Sequence, residues 1–456
     1  MAHDDDVTGE TVELLQTMIR NRCVNDGTPE SGQEARNADV LESVLEGAGL
    51  DVERYTAAPG RDSLIARIEG TDREASPSLA LMGHTDVVPA DERSWTRDPF
   101  GGELVANAFG VTEVWGRGAV DMLNLTASMA VAFCRLARDP SFRPRGDLVF
   151  VAVADEESGS AHGLRWLADH ARDSMYADFV LTENGGLHSG TAEAPLVTCN
   201  VAEKGVAWRR LRITGTPGHG SMPFRSDNAL VKAAAIVTRI AEYRPAPRFH
   251  ELWRTRVETL PLDDDTKQAL LDPARIDDLL AAMPNTGSAA YLHACTHTTF
   301  SANVLTGTSK TNVIPGRVEI DVDVRTLPGE DDAAVRAHLR EAIGADLADE
   351  IEIDTIIDDA ATISSTSTPL WESLQRSVAR PFPAARLLPS LAVGFTDARI
   401  YRELGAVAYG AGLLSPELDS GAFSQRFHGN DERIDVESLR LTTQLWLDVV
   451  TDFHRR

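Results

Sequence analysis

The chain has 456 residues, of which 44 are Lys or Arg and 70 are Asp or Glu; its formal net charge is -26, and 43% of its residues are hydrophobic. This length accommodates two or three domains with a large core, and the acidity excludes the basic footprint that nucleic acid or an anionic membrane surface requires. Only four basic residues are Lys, which fits adaptation to high salt and a compositional bias toward Arg equally well. Val12, Leu15 and Ile19 recur at helical spacing and predict a first helix over 8–22. A capping box, Ser31-Gly32-Gln33-Glu34, opens a second helix that continues through Val40, Leu41, Val44 and Leu45 and stops at Gly47 or Gly49. Strands at 63–68, 79–82, 148–153 and 178–181 then alternate with helices at 122–138 and 163–172. Such alternation predicts an α/β fold, a mostly parallel sheet flanked by helices.

The pattern changes at Glu203-Lys204-Gly205. A strand over 206–213, a glycine-rich turn and a helix over 228–242 follow; further on, Val318, Ile320, Val322 and Val324 alternate with Glu319, Asp321, Asp323 and Arg325. Strict alternation marks a sheet with one wet face. With another helix at 331–343, residues 204–358 read as a small α+β domain inserted between two parts of the first, 1–203 and 359–456. Residues 244–286 are proline-rich and charged, and predict short helices and loops. Pro369, in a first-turn position, restarts helical structure, and an amphipathic helix over 436–453 follows the N-cap candidate Asp435. Cys23, Cys134, Cys199 and Cys295 are dispersed without CxxC, so neither a disulfide framework nor a thiolate metal site is expected. The acidic N-terminus lacks a basic-then-apolar leader and no apolar run is bilayer-length, which points to the cytoplasm.

Polar groups gather where the predicted strands end. His84 and Asp86 leave the run Leu79 to Met82, Asp121 precedes a helix, Glu156 and Glu157 follow the strongest apolar strand, Glu183 ends the next, and His428 lies in a late loop. In an open α/β sheet these positions face one crevice. Each alone has a plain structural reading: His84 and Asp86 satisfying backbone groups, Glu156 and Glu157 in a solvated loop. Together, crowded carboxylates repel unless divalent cations neutralise them. Imidazole with carboxylate oxygen suits Zn²⁺, and also Mn²⁺ or Co²⁺; two-metal hydrolases hold such ions about 3.5 to 4 Å apart. The adjacent Glu156 and Glu157 diverge at a strand end, so one can bind metal while the other takes a proton from water.

The blocks GHTDVVPA, GRGAVDM, DEESGS, LTENGG, GTPGHGSMP, TNVIPG, DVRTLPG and HGNDERI occur in this order. They resemble the M20 family of zinc metallopeptidases and amidohydrolases over nearly the whole chain. The resemblance implies two metal ions, one held by His84, Asp121 and Glu183 and the other by Asp121, Glu157 and His428, with Asp121 bridging. It implies that Asp86 orients His84 and that Glu156 is the general base. The insertion matches the family's lid and dimerisation domain, so a homodimer through the lid is expected. There His219, by itself a turn residue between glycines, matches a histidine that reaches a partner subunit's site to stabilise an oxyanion. Asn312 and Arg325 match substrate contacts, Arg325 being otherwise just a polar position on a wet strand face. Gly394 and Thr396 match a loop lining the site.

Asn124 stands where the family usually has glycine, as does Ala154 before the acidic pair; both concern residues around the ligands. His293 and His297 have no carboxylate block around them and read as solvated or packing histidines. The expected activity is dinuclear zinc-dependent cleavage of an amide bond in a small carboxylate-bearing substrate, a short peptide or an N-acyl amino acid. The alternatives are a specific N-acyl-amino-acid deacylase and, in a different class, a non-catalytic binding protein on the same scaffold.

Overall fold

A computed structural model describes residues 2–307, 310–418 and 420–455. The chain divides into two compact units, one comprising Met1–Val201, Ser364–Ser390 and Thr396–Arg456, the other Ala202–Ile363 and Leu391–Phe395. The strip 391–395 thus joins the insertion from far along the chain, a feature that no composition shift announced.

In the first unit, four strands form the parallel heart of a mixed sheet. Leu148–Val153 pairs with Leu79–His84, which pairs with Phe179–Thr182, which in turn pairs with Val407–Gly410. Arg61–Ile68 and Val52–Ala58 extend one side as antiparallel strands, and Pro195–Glu203 adds antiparallel pairing on the other. Every residue of Leu79–His84 and Leu148–Val153 is buried, as continuous apolar runs at the centre of a two-faced sheet should be. The parallel register sets His84 opposite Val153, so the neighbouring strands end level and their following residues emerge side by side.

Helices Leu123–Arg138 and Val436–His454 pack together, and Trp446 Nε1 donates to Ser128 Oγ at 2.9 Å. The first of these helices rides close to the His84 strand: a Cβ on Gly83 would lie 2.3 Å from Thr126 Oγ1. That approach lets the Thr126 hydroxyl donate to the His84 carbonyl at 2.8 Å.

Several boundaries differ from expectation. The first helix begins earlier, at Ala2–Arg20. The expected helix over 163–172 is two, Leu164–His170 and Arg172–Met175, broken at Ala171. The second helix, Ala35–Glu46, has no side-chain cap because the Glu34 carboxylate does not turn back on Ser31. Glu34 is buried and instead takes the Arg61 guanidinium at 2.6 Å, a charge-assisted bond that outcompetes a helix cap.

The second unit is built around Arg317–Thr326, whose burial alternates along the whole strand. Arg209–Thr214 and Thr299–Thr306 flank it antiparallel. Its apolar face packs on Ala229–Glu242 and Asp332–Ile343, bringing Ile236, Ile240, Val335 and Leu339 onto Val318, Ile320, Val322 and Val324. The irregular stretch resolves into helices Glu251–Thr259, Asp264–Leu270 and Ile276–Ala282, followed by Thr286–Thr296. All four cysteines are free and buried. Among the described residues, no helix is long and apolar enough to cross a membrane.

Candidate metal centre

His84 is the last residue of its strand rather than the first of a loop, and it is 1% exposed. Its Nε2 lies 3.3 Å from Asp121 Oδ1 and 4.0 Å from Glu156 Oε2. The other Asp121 oxygen, Oδ2, lies 3.2 Å from His428 Nε2, which is also 3.3 Å from Glu157 Oε2. One carboxylate therefore faces two imidazoles, one with each oxygen. Glu183 completes the cluster: single donor atoms of His84, Glu156 and Glu183 lie within 4.8 Å of one another, as do those of His84, Asp121 and Glu157.

The side of His84 away from the cluster is held by Asp86, though chiefly through its backbone. Nδ1 is 3.0 Å from the Asp86 carbonyl oxygen and 3.5 Å from its carboxylate. The fully buried carboxylate has further work. It accepts the backbone N–H groups of Glu156 and Glu157 at 3.3 and 3.1 Å and the Asn25 amide at 2.9 Å. Asp86 thus fixes the turn that presents the acidic pair, a turn that begins with Asp155 in the left-handed region at φ 65°. Asn25 reaches Asp155 as well, at 3.1 Å, and Arg61 joins Asn25 to Glu34.

Glu432 does the same for Asp121. One of its oxygens accepts the N–H groups of Gly118, Val120 and Asp121 at 3.1, 2.7 and 3.0 Å, while the other takes Arg117 at 2.7 Å. Asn25, Glu34, Arg61 and Glu432 were not singled out in sequence, where only Glu34 had a proposed role, as a cap. Asp397, also buried, receives the Ser160 hydroxyl, and its Oδ2 has no hydrogen-bond partner.

The electrostatics show the strain of this gathering. Burial, then repulsion by Asp121 and Glu156, pushes the Glu183 carboxyl well above the ordinary range; burial and repulsion by Glu157, Asp397 and Asp121 do the same to Glu156. Burial also opposes charge on Asp121, but its bonds to His428 and His84 prevail and lower its pKa. Hydrogen bonds from Asp121 and Glu157 raise the His428 pKa to about 10. Glu156 Oε1 and Glu157 Oε1 are buried without hydrogen-bond partners. Such orphaned anionic oxygens are costly. A donor set of hard oxygens and imidazole nitrogens fits divalent metal ions, whose charge would offset both the repulsion and the missing partners.

Thr396 belongs to the same unit; it is buried, and its hydroxyl accepts the Ala398 N–H at 3.1 Å, starting the short helix Ala398–Glu403. His219, Asn312, Arg325 and Gly394 belong to the second unit. There His219 is exposed in the short strand Gly218–His219 and pairs with Val313, next to Asn312. The Ser221 N–H donates to His219 Nδ1 at 3.2 Å, so the ring proton of the neutral side chain is on Nε2. Arg325 is already engaged in a two-pronged bond to Asp323, at 2.7 and 3.2 Å, and stacks near Phe395 at 5.4 Å; its Nη1 remains buried without a hydrogen-bond partner. A Cβ on Gly394 would meet nothing within 4 Å, so that position does not require glycine for space.

Residues 80–452 match the sequence profile of peptidase family M20/M25/M40. Among curated proteins, the chain is 26% identical to a probable carboxypeptidase S-like 2 of Dictyostelium discoideum, across 85% of this chain and 74% of that one. It is 27% identical to a succinyl-diaminopimelate desuccinylase of Cereibacter sphaeroides, across 97% of this chain and 99% of the relative. Among solved structures, an M20 family metallo-carboxypeptidase from Sulfolobus solfataricus shares the fold with a TM-score of 0.73 at 17% identity, covering 98% of this chain and all of that one.

Proposed function

We propose that this chain, which belongs to peptidase family M20/M25/M40 and is a hydrolase, uses two divalent metal ions to cleave an amide bond in a small carboxylate-bearing substrate. The observation that carries the reading is Asp121, with Oδ1 turned to His84 and Oδ2 to His428. His84, Asp121 and Glu183 would hold one ion and Asp121, Glu157 and His428 the other, with Zn²⁺ the best match and Co²⁺ or Mn²⁺ alternatives. When bound, the ions supply Lewis acidity, polarising the scissile carbonyl and lowering the pKa of a water.

The chain's own groups do the rest. Glu156 takes the proton of the attacking water and returns it to the leaving amine, a role suited to a buried carboxylate whose basicity is raised by its neighbours. Asp86 orients the His84 ring and the Glu156–Glu157 turn. The second unit acts as lid: His219 donates from Nε2 to the developing oxyanion, and Asn312, the free Nη1 of Arg325 and Gly394 serve the substrate, the arginine binding its carboxylate, together with Thr396 of the first unit. A homodimer through the lid is supported by the exposed apolar residues Val304 and Leu305 on the strand Thr299–Thr306 and Val231 on the helix Ala229–Glu242. A cytoplasmic location is part of this reading, supported by four cysteines that are all free and buried.

The names of the relatives span peptide cleavage and desuccinylation, so a short peptide is the first reading and an N-acyl amino acid the second. A panel of dipeptides and N-acyl amino acids, assayed with Zn²⁺, Co²⁺ or Mn²⁺, separates them. In the same assay His84→Ala is expected to lose metal and turnover together, whereas Glu156→Gln keeps its metal and loses turnover. Normal turnover by the Gln variant overturns the base assignment. Fewer than one bound ion per chain, with no effect of Glu156→Gln on any activity, would favour a binding protein on this scaffold. Light scattering tests the dimer: a fully active monomer removes any role for His219 across subunits.

A further inference from the structure

His293 and His297 do not sit as the sequence suggested, because a carboxylate from a different helix joins them. Asp277 stands in the first turn of Ile276–Ala282, and the two histidines lie one turn apart at the end of Thr286–Thr296, His297 being its C-cap. Their rings are stacked, with centroids 4.0 Å apart and planes within 3°. One nitrogen from each and one oxygen of Asp277 lie within 4.8 Å of one another.

The tautomer of His297 shows what the cluster lacks. Its Nδ1 lies 3.1 Å from the His293 carbonyl oxygen, which can only accept, and 3.0 Å from the Thr296 hydroxyl, whose own proton is directed to the Leu292 carbonyl oxygen at 3.1 Å; we therefore assign the ring proton to Nδ1. Nε2 is therefore a bare lone pair. It belongs to a side chain 1% exposed, has no hydrogen-bond partner, and points at Asp277 Oδ1 from 3.3 Å. Two acceptors facing each other at that distance call for a cation between or beside them. The nearby Lys204 does not fill the role, because its Nζ is spent on the carbonyl oxygens of Ala294 and His297 at 2.9 and 2.7 Å.

We propose that Asp277, His293 and His297 form a further divalent-metal site, contained within the second unit, that takes a borderline ion of the Zn²⁺ class and leaves its remaining positions to water. Two neutral imidazoles at i and i+4 with one carboxylate suit Zn²⁺, and Ni²⁺ or Cu²⁺ by the same chemistry. The half-exposed His293 and the exposed Asp277 leave the site open to solvent, so the ion would clip Ile276–Ala282 to Thr286–Thr296. The site does not depend on the proposed catalytic pair.

The test counts bound Zn²⁺ per full-length chain after chelator stripping, reloading and gel filtration. Asp277→Asn and His293→Gln are each expected to bind one ion fewer than the unaltered chain. In a His84→Ala/His428→Ala background, adding His293→Gln should remove one more ion, and should abolish the rise in thermal midpoint that Zn²⁺ gives that background. Circular dichroism confirms that each variant is folded, and the exposed Asp277 gives a second variant should His293→Gln fold poorly. Equal Zn²⁺ stoichiometry with and without Asp277→Asn and His293→Gln overturns the proposal. Because the count is read where the first unit's histidines are already removed, failure here is distinct from failure of the catalytic assignment.

Discussion

The Asp86 carboxylate lies 3.5 Å from His84 Nδ1 and accepts the Glu156 and Glu157 N–H groups at 3.3 and 3.1 Å, so its removal disturbs a ligand and the acidic pair together. Since the His84 ring also has the Asp86 carbonyl at 3.0 Å, Asp86→Ala is expected to weaken metal binding about 10- to 100-fold rather than empty the site. Zn²⁺ titration of the stripped protein measures this; affinity equal to that of the unaltered chain would show that the backbone carbonyl suffices. Glu432→Gln should act on Asp121 in a comparable way, replacing an anion that gathers three backbone N–H groups and Arg117 with a neutral amide. Its metal affinity and thermal midpoint should both fall. His84, Glu157 and Glu183 were legible as candidates because each ends or follows a strand, and sheet topology makes strand ends neighbours; Asp121, ahead of a helix, and His428, in a late loop, were legible chiefly through the order of the sequence blocks. Glu432 and Asn25 were not, since their partners are backbone groups and carboxylates from distant parts of the chain that no local spacing identifies. Asp277 escaped for the same reason: the i,i+4 pair is visible in the sequence, whereas its carboxylate partner comes from another helix.

At the scale of elements, helix starts were read best where a short polar side chain had no stronger partner. Asp331, Asn228 and Asp435 each cap the helix that follows, accepting from Ala334, Leu230 and Ser438 respectively. Glu34 failed as a cap partner because Arg61 claims its carboxylate. Strict alternation likewise predicted the wet and dry faces of Arg317–Thr326, while the proline-rich stretch, read as short helices and loops, holds three short helices whose bounds no clear periodicity marked. Asp435 offers the clearest test. Its two oxygens hold the Ser438 N–H and hydroxyl at 2.7 and 2.6 Å at the head of the long helix Val436–His454. Asp435→Ala is expected to cost about 0.5–2 kcal/mol, toward the upper end because the cap is buried. A denaturant midpoint indistinguishable from that of the unaltered protein would mean that the cap is replaced locally.

Across the whole molecule, a net charge of -26 makes the response to acid a sum of many protonations, and one buried histidine can be separated from that sum. His454 ends the last helix, 5% exposed, with its ring edge-on to Phe453 and Phe142 and its Nε2 lacking a hydrogen-bond partner. Burial lowers its pKa from 6.5 to about 4, against the opposing pull of Asp147. Above pH 6.5 the ring is neutral in folded and unfolded chains alike and makes no pH-dependent contribution. Between pH 6.5 and 4 the unfolded chain binds a proton that the folded chain refuses, so stability falls as pH falls, by up to about 1.4 kcal/mol per pH unit. Below about 4 both states are protonated and this loss levels off. His454→Phe keeps an apolar ring at the position and removes the titration. Chemical denaturation of both proteins from pH 7.5 to 4 should therefore give curves that run parallel above 6.5 and diverge below it, the unaltered chain losing more, while curves that stay parallel throughout would mean that the folded chain protonates His454 as readily as the unfolded one does.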